Sequence, residues 1–271
     1  MMKLLSFLCG VLLFAVSCSQ PAPVSDDGDT SDNANRPAAI TDSLRQLYQH
    51  YLASADPEIP LKCIMEPGKV NPGDEAPRDT LFFLFREELR TIVAEKNIFK
   101  LLKYVSNDIK VGFDSDNGLQ AFISTWNLDS PDKIPHSELW PTLRILLDLG
   151  GQFTSKGDYF EAPYVGPCFP AVADPLIMGA VVGAGVRMRA GPGLNTQVLR
   201  TISYDLVEII ETTPVEETIS GETYPWVKVK LADGTEGFLF GKFVRSPAGW
   251  RAGFQRGEDQ EWKMVMLLAG D

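Results

Sequence analysis

The sequence predicts an α+β region followed by a small all-β barrel or sandwich. Three observations carry this. From Thr80 to Lys96, Phe82, Phe85, Leu89 and Val93 recur at helical spacing, and shorter helical and alternating segments surround them. From about Val181 to Ser246 the strands are short, the turns lie close together, and no stretch fits a long helix. The final run, Trp262 to Leu268, is apolar on both faces after Lys263, the pattern of a strand covered on both sides.

The chain opens MMKLLSFLCGVLLFAVSCSQ. Its apolar run, Leu4 to Val16, is shorter than the ~20 residues of a membrane-spanning helix. With Lys3 before it, the run has the n-region and h-region of a secretory signal over residues 1–17. Ala15-Val16-Ser17-Cys18 resembles a bacterial lipobox, which implies a lipid-anchored mature chain beginning at Cys18. Acyl chains contribute about 0.8 kcal/mol per buried methylene, enough for stable anchoring when several are attached. The alternative is plain secretion with cleavage nearby. Residues 18–40 are rich in Pro, Ser, Asp, Asn and Ala, so they read as a solvated acidic tether.

Four cysteines are present. Cys9 falls in the signal and Cys18 at the lipobox, which leaves Cys63 and Cys168. In an oxidising compartment two such thiols either pair or stay buried and separate. The net charge of −11, with no basic block, argues against a nucleic-acid partner.

The α+β region spans residues 41–180. Thr41 to Leu52 carries Leu44, Leu47, Tyr48, Tyr51 and Leu52 at helical spacing. Five prolines between residues 56 and 79 mark a loop. After the Thr80–Lys96 helix come a short helix over Ile98–Val105, a strand over Asp108–Phe113, helices over Gly118–Trp126 and Ser137–Leu149, and a strand over Tyr159–Val165. Gly150-Gly151 supplies the usual helix stop. In the β block, residues 181–246, Val186 and Met188 alternate with Arg187 and Arg189, and Val227, Val229 and Leu231 with Lys228 and Lys230. Asp233-Gly234 is a hairpin turn. The tail, residues 247–271, is a further hairpin with its turn at Gly257 to Gln260. It has more apolar surface than a finished small barrel covers, so it is expected to complete the sheet of the α+β region.

The stretch Gly185 to Ile202, GVRMRAGPGLNTQVLRTI, poses a choice between a phosphate loop and a barrel turn. A dinucleotide fingerprint requires a third glycine and a following helix, but Met188 holds that position and Pro192 excludes the helix. No Gly-Lys-Ser/Thr is present. Gly191, Pro192 and Gly193 instead suit a tight turn with positive φ.

Val186-Arg187-Met188-Arg189-Ala190-Gly191-Pro192-Gly193, with Trp226-Val227-Lys228-Val229 and Gly234-Thr235-Glu236-Gly237-Phe238-Leu239, resembles the bacterial SH3 domain of envelope proteins. The segment from Glu211 to Thr223 departs from that pattern and reads as a long loop. The resemblance implies a non-catalytic module for a peptidoglycan peptide or an envelope protein. Arg189, Tyr204, Tyr224 and Trp226 are then candidates for a binding groove. On the bland reading Trp226 is core and the arginines are solvated. More weakly, Phe85 through Phe122 resembles the NTF2-like cone fold. That likeness makes Trp126, Asp129 and Trp140 candidates for a pocket, against a bland reading as core and helix end.

Catalysis is not expected. The chain has two histidines, His50 and His136. Neither Cys63 nor Cys168 begins a helix, the setting that activates a thiol. No His/Cys spacing suits zinc, so no metal and no cofactor are expected. A carboxylate pair flanking a cleft stays open from sequence. The expected protein is a lipid-anchored envelope component, on an outer membrane or cell surface, that works by binding. The alternative is a small-molecule binder or weak enzyme using the cone pocket.

Overall fold

A computed structural model describes residues 61–270 other than 115 and 155, together with residues 45, 46, 48–50 and 53. The signal segment, Cys18 and the tether lie outside the described residues. The architecture is an α+β region and an all-β curled sheet.

Helix α1 is Thr80–Ala94, entered from Asp79, whose side chain accepts the Phe82 N–H at 3.0 Å. Helices α2 (Ile98–Leu101), α3 (Leu119–Thr125) and α4 (Leu139–Asp148) follow. Strand β1 is Val105–Lys110, β2 Gln152–Phe153, β3 Tyr159–Ala162, β11 Arg251–Arg256 and β12 Trp262–Leu268. They form a five-stranded sheet in the order β1-β12-β11-β3-β2, with β1 parallel to β12 and the other pairs antiparallel. Its two central strands therefore come last in the chain, after the whole second sheet.

Two expected elements shift. The strand expected over Asp108–Phe113 runs over Val105–Lys110, because Asn117 Oδ1 accepts the N–H groups of Val111 and Gly112 at 2.9 and 3.3 Å and turns the chain there. Phe113 is left 61% exposed. The helix expected over Ile98–Val105 stops at Leu101, and Val105 instead pairs with Met264.

One face of this sheet packs on the helices. Phe82 lies within 4.3–5.8 Å, centroid to centroid, of Phe85, Phe153, Phe160, Phe254 and Trp262. Aromatic pairs of this kind add about 0.5–1.5 kcal/mol beyond area burial. On β12, strict alternation would place Trp262, Met264, Met266 and Leu268 on one face. The register instead shifts between Gly253 and Phe254, whose partners are Met266 and Met264. Val265 is the extra residue of a bulge, so Leu267 follows Met264 into the core while Met266 and Leu268 line the other side.

The curled second sheet has seven strands in the order β10-β4-β7-β8-β9-β5-β6, all antiparallel. They are β4 Met178–Val181, β5 Val186–Arg189, β6 Val198–Ile202, β7 Leu206–Ile219, β8 Glu222–Lys230, β9 Glu236–Phe240 and β10 Val244–Arg245. Val186, Met188, Val207, Val229 and Leu239 are among its buried core. The segment read as a loop, Glu211 to Thr223, is the far end of a long β7–β8 hairpin. β-branched residues sustain the ladder, and Ser220 (φ 54°) and Gly221 (φ 83°) make a two-residue turn that matches strand twist. Of the turn glycines Gly191 and Gly193, only Gly193 has positive φ.

A third cluster joins the two sheets. Val70, Tyr164, Val165, Cys168 and Ala180 are buried together, with Cys63 and Leu206 packed against them. Val70 N–H donates to Tyr204 O at 2.8 Å, and Lys69 Nζ pairs with Asp205 at 3.0 Å. Cys63 and Cys168 form a disulfide, with Cα atoms 5.6 Å apart.

Candidate functional site

Of the four residues expected to line a groove on the β block, two are buried and two are partly exposed. Arg189 and Trp226 are 8% and 1% exposed. Arg189 Nη1 donates to the carbonyls of Leu194 and Thr196, both at 2.7 Å, so its charge holds the 190–197 turn from within. Trp226 Nε1 donates to Glu217 at 3.1 Å. Tyr204 sits in the turn before β7, against the 68–70 segment. Tyr224 lies near the hairpin end, opposite Glu217 and under the Arg245 guanidinium at 6.0 Å. The bland reading has Arg189 on a solvated face; its bonds to the two turn carbonyls draw it in.

Trp126, Asp129 and Trp140 are dispersed. Trp126, at the end of α3, is 5% exposed and meets the half-exposed ring of Trp250 at 4.7 Å between centroids. The two rings wall an open cleft of about 560 Å³ with Asp132, Lys133, His136 and Glu138 around it. Trp140 is buried with Nε1 on Ile134 O at 2.6 Å, and borders a different cleft of about 620 Å³. The cations of that second cleft are already engaged: Arg90 binds Asp148 and the Leu147 carbonyl, Lys96 binds Pro135 O, and Arg144 pairs with Glu222 at 3.5 Å. Asp129 is exposed, pairs with Lys133 at 3.2 Å, and lines neither cleft.

A further polar cluster, missed in the sequence, occupies the outer face of the first sheet. Tyr159, Glu161, Arg251 and Gly253 alternate with Phe160, Ala162, Ala252 and Phe254, which face the core. Gly253 pairs with Glu161 on one side and Met266 on the other. Two open clefts, of about 320 and 330 Å³, share Glu161 and Arg251 in their walls. Burial pushes the Glu161 carboxyl up, and Arg251 opposes this only in part. Burial beside Glu161 likewise pushes the Tyr159 phenol up to about 12. The signal was present in the two alternating strands, Tyr-Phe-Glu-Ala and Arg-Ala-Gly-Phe. What the sequence lacked was the pairing that makes them neighbours.

Among the described residues, no group of three or more His, Cys, Asp or Glu side chains is placed to hold a metal ion, and no helix is long and apolar enough to cross a membrane. No family model matches the chain, and neither a curated protein nor a solved structure matches it.

Proposed function

We propose that the protein is a lipid-anchored component of a bacterial cell envelope that binds a cell-wall peptide without transforming it. Anchoring is through Cys18. The Cys63–Cys168 bond supports an oxidising compartment, where such cross-links persist. The curled second sheet is read as an SH3-like barrel, consistent with its short antiparallel strands and its Trp226 strand. The first region is read as a relative of the NTF2-like cone. In it, however, aromatic side chains pack the space between helices and sheet, so ligand binding is assigned to the surface.

The observation that carries the binding reading is the open Trp126–Trp250 cleft. Trp250 lies just before β11, where the chain leaves the second sheet, and Trp126 ends α3. The cleft thus draws on both regions. Its aromatic walls suit an apolar side chain or ring face, and the charged groups around them suit a peptide's polar groups.

The test is retention of the purified full chain, in detergent, on isolated peptidoglycan. Wild type should be retained, and Trp250→Ala should lose most of the retention while keeping its circular dichroism spectrum. Equal retention of the two, or none for wild type, rejects the assignment. Separately, Cys18→Ser should move the protein from the membrane to the soluble fraction and abolish incorporation of labelled fatty acid.

A further inference from the structure

We propose that the outer face of the first sheet binds a small zwitterion of the α-amino-acid class, with its ammonium on Glu161 and its carboxylate on Arg251. This site is separate from the Trp126–Trp250 cleft and does not depend on the wall-binding reading.

Four observations converge on it. First, the Glu161 side chain is partly buried, yet among the described residues no hydrogen bond or ion pair reaches its carboxylate. A carboxylate in that setting is costly until a cation or donor arrives. Second, Arg251 is near enough to act on Glu161 electrostatically, yet the two form no ion pair. Its Nη2 turns to the Gly270 carbonyl, and its buried Nε has no partner. Two opposite charges that line the same cleft, and are not joined, leave a place for a ligand carrying both signs.

Third, Gly253 stands between the two charged side chains on the ladder, across from Glu161 and two positions along from Arg251. A Cβ there would come within 2.1 Å of Tyr159 Oη, so the glycine leaves room for the Tyr159 ring to lie across the sheet beside the two charges. Tyr159 Oη donates to the sulfur of Met266 at 3.9 Å, which holds the ring in place there. Fourth, the walls match the rest of an amino acid. Lys110 stands at the rim with a second positive charge, and Phe113, Met266 and Leu268 form an apolar side. A volume of about 320 Å³ suits a single residue rather than a long chain. One carboxylate is too few ligands for a divalent cation, which takes six or more oxygens as a rule.

The experiment is calorimetric titration of the full chain in detergent with leucine, leucinamide and N-acetylleucine. Leucine has both charges, and each of the others lacks one. Leucine should bind, and each capped form should bind at least about tenfold more weakly. Glu161→Gln should bind leucine and N-acetylleucine alike, because the ammonium contact is gone. The comparison of capped ligands on wild type needs no variant, so it stands even where Glu161→Gln fails to fold. No binding of leucine at about 10 mM, where even a millimolar site fills, overturns the proposal. So does equal binding of all three, or sensitivity to only one of the two caps. Trp250→Ala should bind leucine as wild type does, which separates failure of this site from failure of wall binding.

Discussion

The indole of Trp226 donates to Glu217 Oε2 at 3.1 Å, and the same oxygen accepts the Leu194 N–H at 3.1 Å. One carboxylate on β7 thus ties the tryptophan strand to the turn that follows β5. Arg189 grips that turn from its other side through the Leu194 and Thr196 carbonyls.

Glu217→Ala should therefore destabilise the second sheet by about 1–3 kcal/mol, because a buried indole N–H loses its acceptor. Glu217→Gln keeps an acceptor oxygen and should cost less. Urea unfolding of both variants against wild type is the measurement. An Ala variant within about 0.5 kcal/mol of wild type, the usual range for surface changes, would show that water satisfies the indole equally well.

The disulfide joins residues 105 apart in the chain. A loop of that length confers up to about 4–5 kcal/mol in the chain-entropy account. Cys63→Ser with Cys168→Ser, or reduction of the wild type, should lower stability by a large part of that figure. Mass analysis after alkylation without reductant should find Cys63 and Cys168 unmodified; two alkylated thiols there would contradict the bond.

Glu161 gives a pH signature with a definite sign. Burial raises its folded-state pKa above the ordinary 4.5, so the folded chain binds more protons than the unfolded chain between those two values. Stability from this group is present below 4.5 and is lost as pH rises through the raised value. Glu161→Gln should then be more stable than wild type at pH 7, with the difference vanishing near pH 4. Parallel denaturant curves at the two pH values decide it, and a variant weaker at pH 7 would mean that Arg251 outweighs burial.

Chain truncation after Ser246 removes Trp262, Met264 and Leu267 from the first core, each worth about 1.5–3 kcal/mol of burial. Amides of β3 and α1 should lose their hydrogen-exchange protection, while those of β7, β8 and β9 keep theirs. Retained protection in β3 would show that the first sheet stands without its central hairpin.

Some of this was legible in the residues and some was not, for physical reasons. Helix α1 announces itself because Phe82, Phe85, Leu89 and Val93 follow a local period. The run Trp262–Leu268 announces a covered strand, but not the bulge at Val265, which depends on how β11 pairs with it. Glu211 to Thr223 read as a loop because its polar residues mask a hairpin whose ladder is held by the backbone. Trp126 was legible as an aromatic near a helix end, whereas its partner Trp250 stands far away in the chain. The Glu161–Arg251 juxtaposition depends entirely on strand order, which alternation within each strand cannot supply.

The strand order also sets a timetable. During synthesis, β1, β2 and β3 emerge first, yet β11 and β12, which must lie between β1 and β3, arrive only after β4 to β10. The second sheet has all of its strands in one continuous stretch and can close as soon as they appear. The first sheet has to wait, with the edges of β1 and β3 unpaired and its aromatic face uncovered, through the delivery of everything in between. Such edges attract wrong partners. The interval between the appearance of β3 and that of β12 is therefore the period in which a nascent chain of this protein is most exposed to aggregation and to proteases.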